Sequence, residues 1–362
     1  MDQNVDVVID GQYGSTGKGL ICQTIADNYK LAVTCNAPNA GHTIRWDGSQ
    51  NPEGQWMGRK TFKARHVPSS VLNKDCKLAI GAGALIGMEV LEKELQELHS
   101  LGVEIEDRLY IDPHATMVQT RHVNAEHEKK EGSDMFDRIG STREGCGPAW
   151  AERVLRRGGT QLAYMEPYLQ RFISKEPVSH MIRSYDRVLL EGAQGTGLSN
   201  IHGIYPYTTF RDTTASGFAS AAGVPPRAIR NVIMVIRTYP IRVAGMSGPT
   251  GGKELDWTYF SKRAGKEVSE RTTVTNRVRR IFEFSMDDFK HAVILNGPNI
   301  IALNFLNYLD PSDEGKTDFD KLGSVSRKFI DDIEAVAQAP VLIMSTSADS
   351  VVVRPELQPM LA

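Results

Sequence analysis

Long apolar runs are absent from this 362-residue chain, and none approaches the roughly 18 residues that a membrane-spanning helix requires. Its first residues carry no signal-peptide core, so a cytoplasmic setting is expected, with no membrane partner. Cysteine is scarce. Cys22, Cys35, Cys76 and Cys146 form no CxxC or mixed His/Cys spacing, which argues against a zinc ribbon or a disulfide framework and predicts reduced thiols. An excess of one charge is also missing: the formal net charge is −2 with 24% charged residues, so no global pull toward nucleic acid exists. Repeats, low-complexity segments and Pro/Ser-rich linkers are lacking too, and residues 1–362 are read as a single catalytic domain.

What is present is an alternation. Apolar, β-branched runs of strand length stand at residues 5–9, 78–80, 188–190, 232–236, 292–295 and 340–344. Helix-patterned stretches at 88–101 and 324–337 separate some of them. This predicts an α/β fold with a mainly parallel central sheet flanked by helices. Glycines gather after these runs, at Gly81 and Gly83, at Gly192, Gly195 and Gly197, and at Gly245, Gly248, Gly251 and Gly252. Ligands of open α/β sheets bind outside the carboxyl ends of the strands, so these loops are expected to share one crevice.

The most informative segment is Gly11-Gln12-Tyr13-Gly14-Ser15-Thr16-Gly17-Lys18-Gly19, set between the first apolar run and a helix-like stretch. Glycines turn backbone N–H groups inward, the helix adds its positive end and Lys18 adds a cation, so a nucleotide phosphate is the expected guest. A standard P-loop would place Gly at position 12 and Ser or Thr at position 19, where this chain has Gln12 and Gly19.

Further clusters carry phosphate and carboxylate chemistry. Asn39-Ala40-Gly41-His42-Thr43 packs an amide, an imidazole and a hydroxyl around a glycine, and His42 is able to donate to a phosphate oxygen as charge builds there. Glu191-Gly192-Ala193-Gln194-Gly195-Thr196-Gly197 puts a carboxamide at a strand end, suited to a purine edge. His202-Gly203-Ile204-Tyr205-Pro206-Tyr207-Thr208-Thr209 closes on two hydroxyls. In Glu270-Arg271-Thr272-Thr273-Val274-Thr275-Asn276-Arg277-Val278-Arg279-Arg280, an extended backbone would point Arg277 and Arg279 to one face as a carboxylate clamp. A second basic stretch, Gly147 to Arg157, reads as a helix after Pro148 whose arginines suit its C-terminus.

In this order the clusters resemble the adenylosuccinate synthetase family, whose members join aspartate to C6 of IMP after GTP has phosphorylated the 6-oxygen. The correspondence runs through residues 14–19, 39–43, 67–69, 140–158, 191–196, 203–215, 242–243, 275–280 and 345–346. The resemblance implies that Ser15, Asn39, Ser141, Thr142, Gln194, Thr209, Val243 and Arg277 line the nucleoside monophosphate site, with Arg156 reaching it from the second subunit of a homodimer. It also implies a donor site of Ser15, Thr16, Gly17, Lys18, Gly19, Gly41, His42, Thr43 and Ser345. Thr275, Arg277 and Arg279 would bind L-aspartate, Ser15 and Gly41 would serve Mg2+, and Ser15, Lys18 and His42 would be the catalytic set.

The departures redirect the expectation. The family's first loop reads G-D-E-G-K-G, its Asp acting as general base and Mg2+ ligand, whereas this chain has Ser15 and Thr16 there. A positioned general base is worth roughly 10²–10⁴ in rate, so the change bears on mechanism. The family reads guanine of GTP with T-K-L-D after a late strand, and the stretch taken as its counterpart is Leu295-Asn296-Gly297-Pro298. On that alignment Asn296, Gly297 and Pro298 contribute to the donor site, the carboxylate is gone and ATP or dATP is the expected donor. Ser345-Thr346-Ser347-Ala348 replaces S-T-G-P. Both changes, with Asn276 and Val278 in the arginine motif, resemble the PurZ branch of the family, which makes N6-succino-2-amino-2′-deoxyadenylate from dGMP. Asp to Ser also leaves room for a purine 2-amino group. Alternatives are an ordinary synthetase using IMP and GTP, and an inactive nucleotide-binding relative.

Overall fold

The computed structural model describes residues 3–48, 58–128, 139–272 and 276–362. Its centre is a nine-stranded sheet, ordered Val351–Val353, Val341–Ser345, Ile300–Asn304, Ile229–Arg237, Val5–Asp10, Val188–Glu191, Leu31–Thr34, Lys77–Ile80 and Leu109–Ile111. Neighbouring strands run parallel except at one edge, where Val351–Val353 is antiparallel to Val341–Ser345. The first strand lies in the interior, paired with Ile229–Arg237 on one side and Val188–Glu191 on the other. All six of its residues are buried.

Alternation along that strand builds two cores. Val8 packs with Ile21, Ile25, Leu91, Leu95 and Leu98, from the helices Lys18–Ile25 and Met88–Ser100. Val7 and Ile9 face the other way, toward Phe218, Phe289, Ile330 and Ile333 of the helices Ala215–Ala222, Met286–Asn296 and Ser324–Ala337. Helices on both faces explain why the strands read as continuous apolar runs. The four cysteines are free and buried. Among the described residues no helix is long and apolar enough to cross a membrane.

One expected strand is a helix. Residues 292–295 lie inside Met286–Asn296, which Ser285 caps by accepting the Asp288 N–H and which Gly297, at φ 54°, ends in a left-handed turn. A short apolar run does not distinguish helix from strand, and here the cap, the acidic first turn and the terminal glycine decide it. The strand comes next, at Ile300–Asn304.

Candidate active site

Three residues of the first loop take left-handed backbone in quick succession, Gly14 at φ 88°, Ser15 at 55° and Gly17 at 91°. Such a turn aims consecutive N–H groups into one concavity. A side chain at Gly17 would be strained at this φ, and its Cβ would sit 2.6 Å from Asn304 Nδ2. Beneath the loop lies Asp10, 1% exposed, whose Oδ1 accepts the Gln12 N–H at 2.7 Å and whose Oδ2 accepts Thr16 Oγ1 at 2.6 Å and Lys18 Nζ at 3.2 Å. Lys18 also donates to the Gln194 carbonyl at 2.6 Å. Gln12, foreign to a P-loop, is structural: its amide donates to Arg237 O at 3.0 Å and accepts from Arg237 N at 3.1 Å.

A cleft of about 470 Å3 opens over this loop, lined in part by Ser15, Gly17, Lys18, Gly19, Asn39, Gly41, His42, Thr43, Thr142, Gln194, Val243, Arg279 and Ser345. These positions come from seven separate parts of the chain. His42 begins the strand His42–Asp47 and is almost fully buried, its Nδ1 against the carboxylate of Glu191. Glu191 also accepts the Ser69 N–H at 2.7 Å and the Ser69 hydroxyl at 2.6 Å. Burial works to raise the Glu191 carboxyl, but the His42 ring and the bonds from His42 and Ser69 hold it below the usual carboxylate range. The ring is therefore oriented by a charged partner, which leaves Nε2 for a ligand.

A second ionic centre borders the cleft through Glu270 and Arg279. Arg237, fully buried, pairs with Glu270 at 2.5 Å, donates to the Ser15 carbonyl at 3.0 Å and stacks 3.9 Å from the Phe305 ring centroid. Glu270 accepts the Tyr308 hydroxyl at 3.1 Å and meets Arg279 at 3.5 Å. Burial opposes ionisation of Glu270, but Arg237, Arg279 and the Tyr308 hydroxyl together outweigh it and keep the carboxyl low. One guanidinium thus ties Ser15, the arginine motif and Phe305 together.

Other expected site residues fall outside the cleft. Thr16 is fully buried, its hydroxyl turned to Asp10 and its carbonyl accepting Asn304 Nδ2 at 2.6 Å. Ser141 accepts the Arg143 N–H within its own turn, Thr209 is tied by its N–H to Leu198 O, and Arg156 and Arg277 are exposed. Thr275 lies outside the described residues. Of the glycine clusters, Gly83 packs against Ala221, Gly251 against Ser285, and neither lines the cleft.

The donor-side alignment needs correction. Asn296 is the last residue of a helix, its amide pinned by the Ala215 N–H at 2.9 Å, by Thr196 Oγ1 at 3.1 Å and by Ala292 O at 2.8 Å. Neither it nor Gly297 nor Pro298 borders the cleft. The late strand ends at Asn304, so the tetrapeptide that begins at its last residue is Asn304-Phe305-Leu306-Asn307. Phe305, Asn307, Tyr308, Ser347 and Ala348 line an adjoining cavity of about 290 Å3, and Asn307 Oδ1 has no hydrogen-bond partner among the described residues. Sequence reasoning missed Asn307 and Asp10. The cap at Ser285 and the glycine at 297 were the signals that would have moved the alignment to Asn307.

The adenylosuccinate synthetase family model matches residues 7–172 and 160–317. The chain belongs to the adenylosuccinate synthetase family. Adenylosuccinate synthetase of Methanocaldococcus jannaschii is 35% identical over 352 residues, covering 95% of this chain and 94% of that protein. The enzyme of Methanococcus aeolicus is 36% identical, covering 95% and 96%. Among solved structures, cyanophage S-2L succinoaminodeoxyadenylate synthetase (PurZ), bound to dGMP and dATP as an energy donor, superposes with a TM-score of 0.79 at 28% identity, over 100% of this chain and 99% of that one. Fully ligated Plasmodium falciparum adenylosuccinate synthetase, 21% identical, shares the fold at a TM-score of 0.81 over 97% and 100%. Membership makes the protein a C–N ligase that uses a nucleoside triphosphate and aspartate.

Proposed function

We propose that this family member joins L-aspartate to C6 of dGMP at the expense of ATP or dATP, through a 6-phosphoryl intermediate, giving N6-succino-2-amino-2′-deoxyadenylate. The observation that carries the reading is Ser15: the family's catalytic Asp position borders the cleft, exposed, with a hydroxyl in place of a carboxylate. The likeness to the phage enzyme bound to dGMP and dATP supports it. Asn307 supports the donor, since a carboxamide offers both a donor and an acceptor to adenine's edge, whereas an Asp accepts twice from guanine.

In this reading Asn39, Thr142, Gln194 and Val243 hold the acceptor nucleotide. Lys18 and His42 neutralise charge on the phosphoryl group as it passes to O6, and the amine of aspartate then displaces phosphate at C6. Arg279, held by Glu270, takes an aspartate carboxylate. Arg277 and Thr275 are proposed to join it. Mg2+ fits the oxygens available: the Ser15 hydroxyl and Gly41 carbonyl border the cleft and, with the donor phosphates, give an all-oxygen set. The ion would supply charge neutralisation to the phosphates. Arg156, exposed just beyond the helix Cys146–Val154 and next to the exposed Val154 and Leu155, is proposed to serve a second subunit of a homodimer.

Phosphate release from purified protein given dGMP, aspartate, Mg2+ and ATP or dATP tests the proposal, with mass detection of the succino product. Turnover with IMP and GTP alone would replace it by the ordinary synthetase reading, which the sequence relatives favour.

A further inference from the structure

Both carboxylates of the family's G-D-E-G-K-G loop are gone at Ser15 and Thr16, yet a carboxylate remains underneath, at Asp10. It is not a surface group that drifted inward. Its Oδ1 takes the N–H of Gln12 at 2.7 Å and of Gly14 at 3.4 Å, and its Oδ2 takes Thr16 Oγ1 and Lys18 Nζ. The loop after Val188–Glu191 closes over it: a Cβ at Gly195 would lie 2.6 Å from Asp10 Oδ1, and Thr196 Oγ1 donates to the Asp10 carbonyl at 2.8 Å. Lys18, 3% exposed, borders the cleft with its ammonium bonded, among the described residues, to Asp10 and the Gln194 carbonyl alone.

We infer that Asp10 is the positioning residue of Lys18: the buried carboxylate keeps the ammonium at the cleft floor throughout phosphoryl transfer, while the Gln194 carbonyl is the contact that a donor phosphate replaces. Asp10 touches no substrate, since it does not border the cleft. Thr16 belongs to the same device, because a Glu in its place would set a second carboxylate against Asp10 Oδ2, where a hydroxyl donates instead. An ion pair buried this deeply is costly to break from one side, which gives the lysine one place to stay. With a net loop charge of zero at positions 10–19, from Asp10 and Lys18, donor phosphates meet less repulsion than a loop carrying two exposed carboxylates would offer.

The inference rests on the ligase reading but not on the identity of the acceptor. A crystal structure of the wild-type protein with Mg2+ and the β,γ-imido analogue of ATP is expected to show Lys18 Nζ within hydrogen-bond distance of both Asp10 Oδ2 and a phosphate oxygen; a lysine detached from Asp10 overturns it. In Asp10→Asn, kcat with whichever acceptor the wild type turns over should fall at least tenfold while the donor KM holds or decreases, because the phosphates lose a repelling charge as the lysine loses its anchor. Unchanged kcat, or a parallel loss of turnover and analogue binding by calorimetry, overturns the inference in favour of a purely structural carboxylate. Absence of wild-type turnover with dGMP, but not with IMP, counts against the dGMP reading and leaves the Asp10 comparison intact.

Discussion

The carboxylate of Glu191 stands between two partners, the Nδ1 of His42 and the hydroxyl of Ser69, which it accepts at 2.6 Å. This contact sets the ring's orientation and its tautomer together, so its loss should register in chemistry before it registers in binding. In Glu191→Gln the amide replaces the charge at nearly equal volume. We expect kcat to fall by about 10²-fold with donor and acceptor KM changed by less than about threefold, the signature of a group that matters in the transition state. Steady-state kinetics with each substrate varied in turn checks it.

Ser15→Asp restores the family's carboxylate at the cleft wall. The loop tolerates it conformationally, since position 15 is left-handed at φ 55° and Asp is among the side chains that adopt this region most readily. The dGMP reading expects kcat/KM for dGMP to drop at least about tenfold and that for IMP to rise, as a general base returns to N1 of a base with no 2-amino group. Competition between the two nucleotides, resolved by product mass, measures the ratio directly.

Much of this site was legible before the fold was. The phosphate loop, the Asn39 to Thr43 cluster and Gln194 announce themselves because their residue types serve backbone turns and phosphate chemistry at once, and all three line one cleft. The strands at Val5–Asp10, Val188–Glu191 and Ile229–Arg237 are legible for a different reason, being buried on both faces. Residues 292–295 are not, since four apolar residues in a row suit a helix face as well as a strand. That ambiguity shifted the donor-base alignment from Asn307 to Pro298. Asp10 was hidden differently: an Asp ending a strand looks like a turn former, and only the packing of residues 194–196 over it reveals a buried ion pair. Arg237 and Glu270 lie 33 positions apart, beyond the reach of any local pattern.

Asn307 borders the cavity beside Phe305, its carbonyl oxygen unpartnered among the described residues. Asn307→Asp removes the amide donor and leaves two acceptors, which match the N1–H and 2-amino group of guanine. The GTP to ATP ratio of kcat/KM should therefore rise by about tenfold or more, because a buried polar group left without its complement discriminates strongly. If the ratio holds still, the donor base does not reach Asn307.

Glu94 gives the fold a pH dependence of known sign. It is 3% exposed on the helix Met88–Ser100, and its carboxylate accepts the N–H groups of Arg65 and His66, at the turn leading to Ser69. Burial pushes its carboxyl up to about 7 against the opposing pull of those N–H groups and of the Arg65 charge. A carboxyl raised on folding contributes stability that is complete below its unfolded value of 4.5 and is lost as pH rises through about 7. The neighbouring His66 ring, driven down to about 3 chiefly by burial and then by Arg65, acts oppositely, so wild-type stability alone does not isolate Glu94. The difference between Glu94→Gln and wild type does. Urea melts should show that difference shifting in favour of the variant by about 3 kcal/mol between pH 4.5 and pH 8. A difference flat across that range would mean that Glu94 ionises in the folded protein as easily as in the unfolded chain.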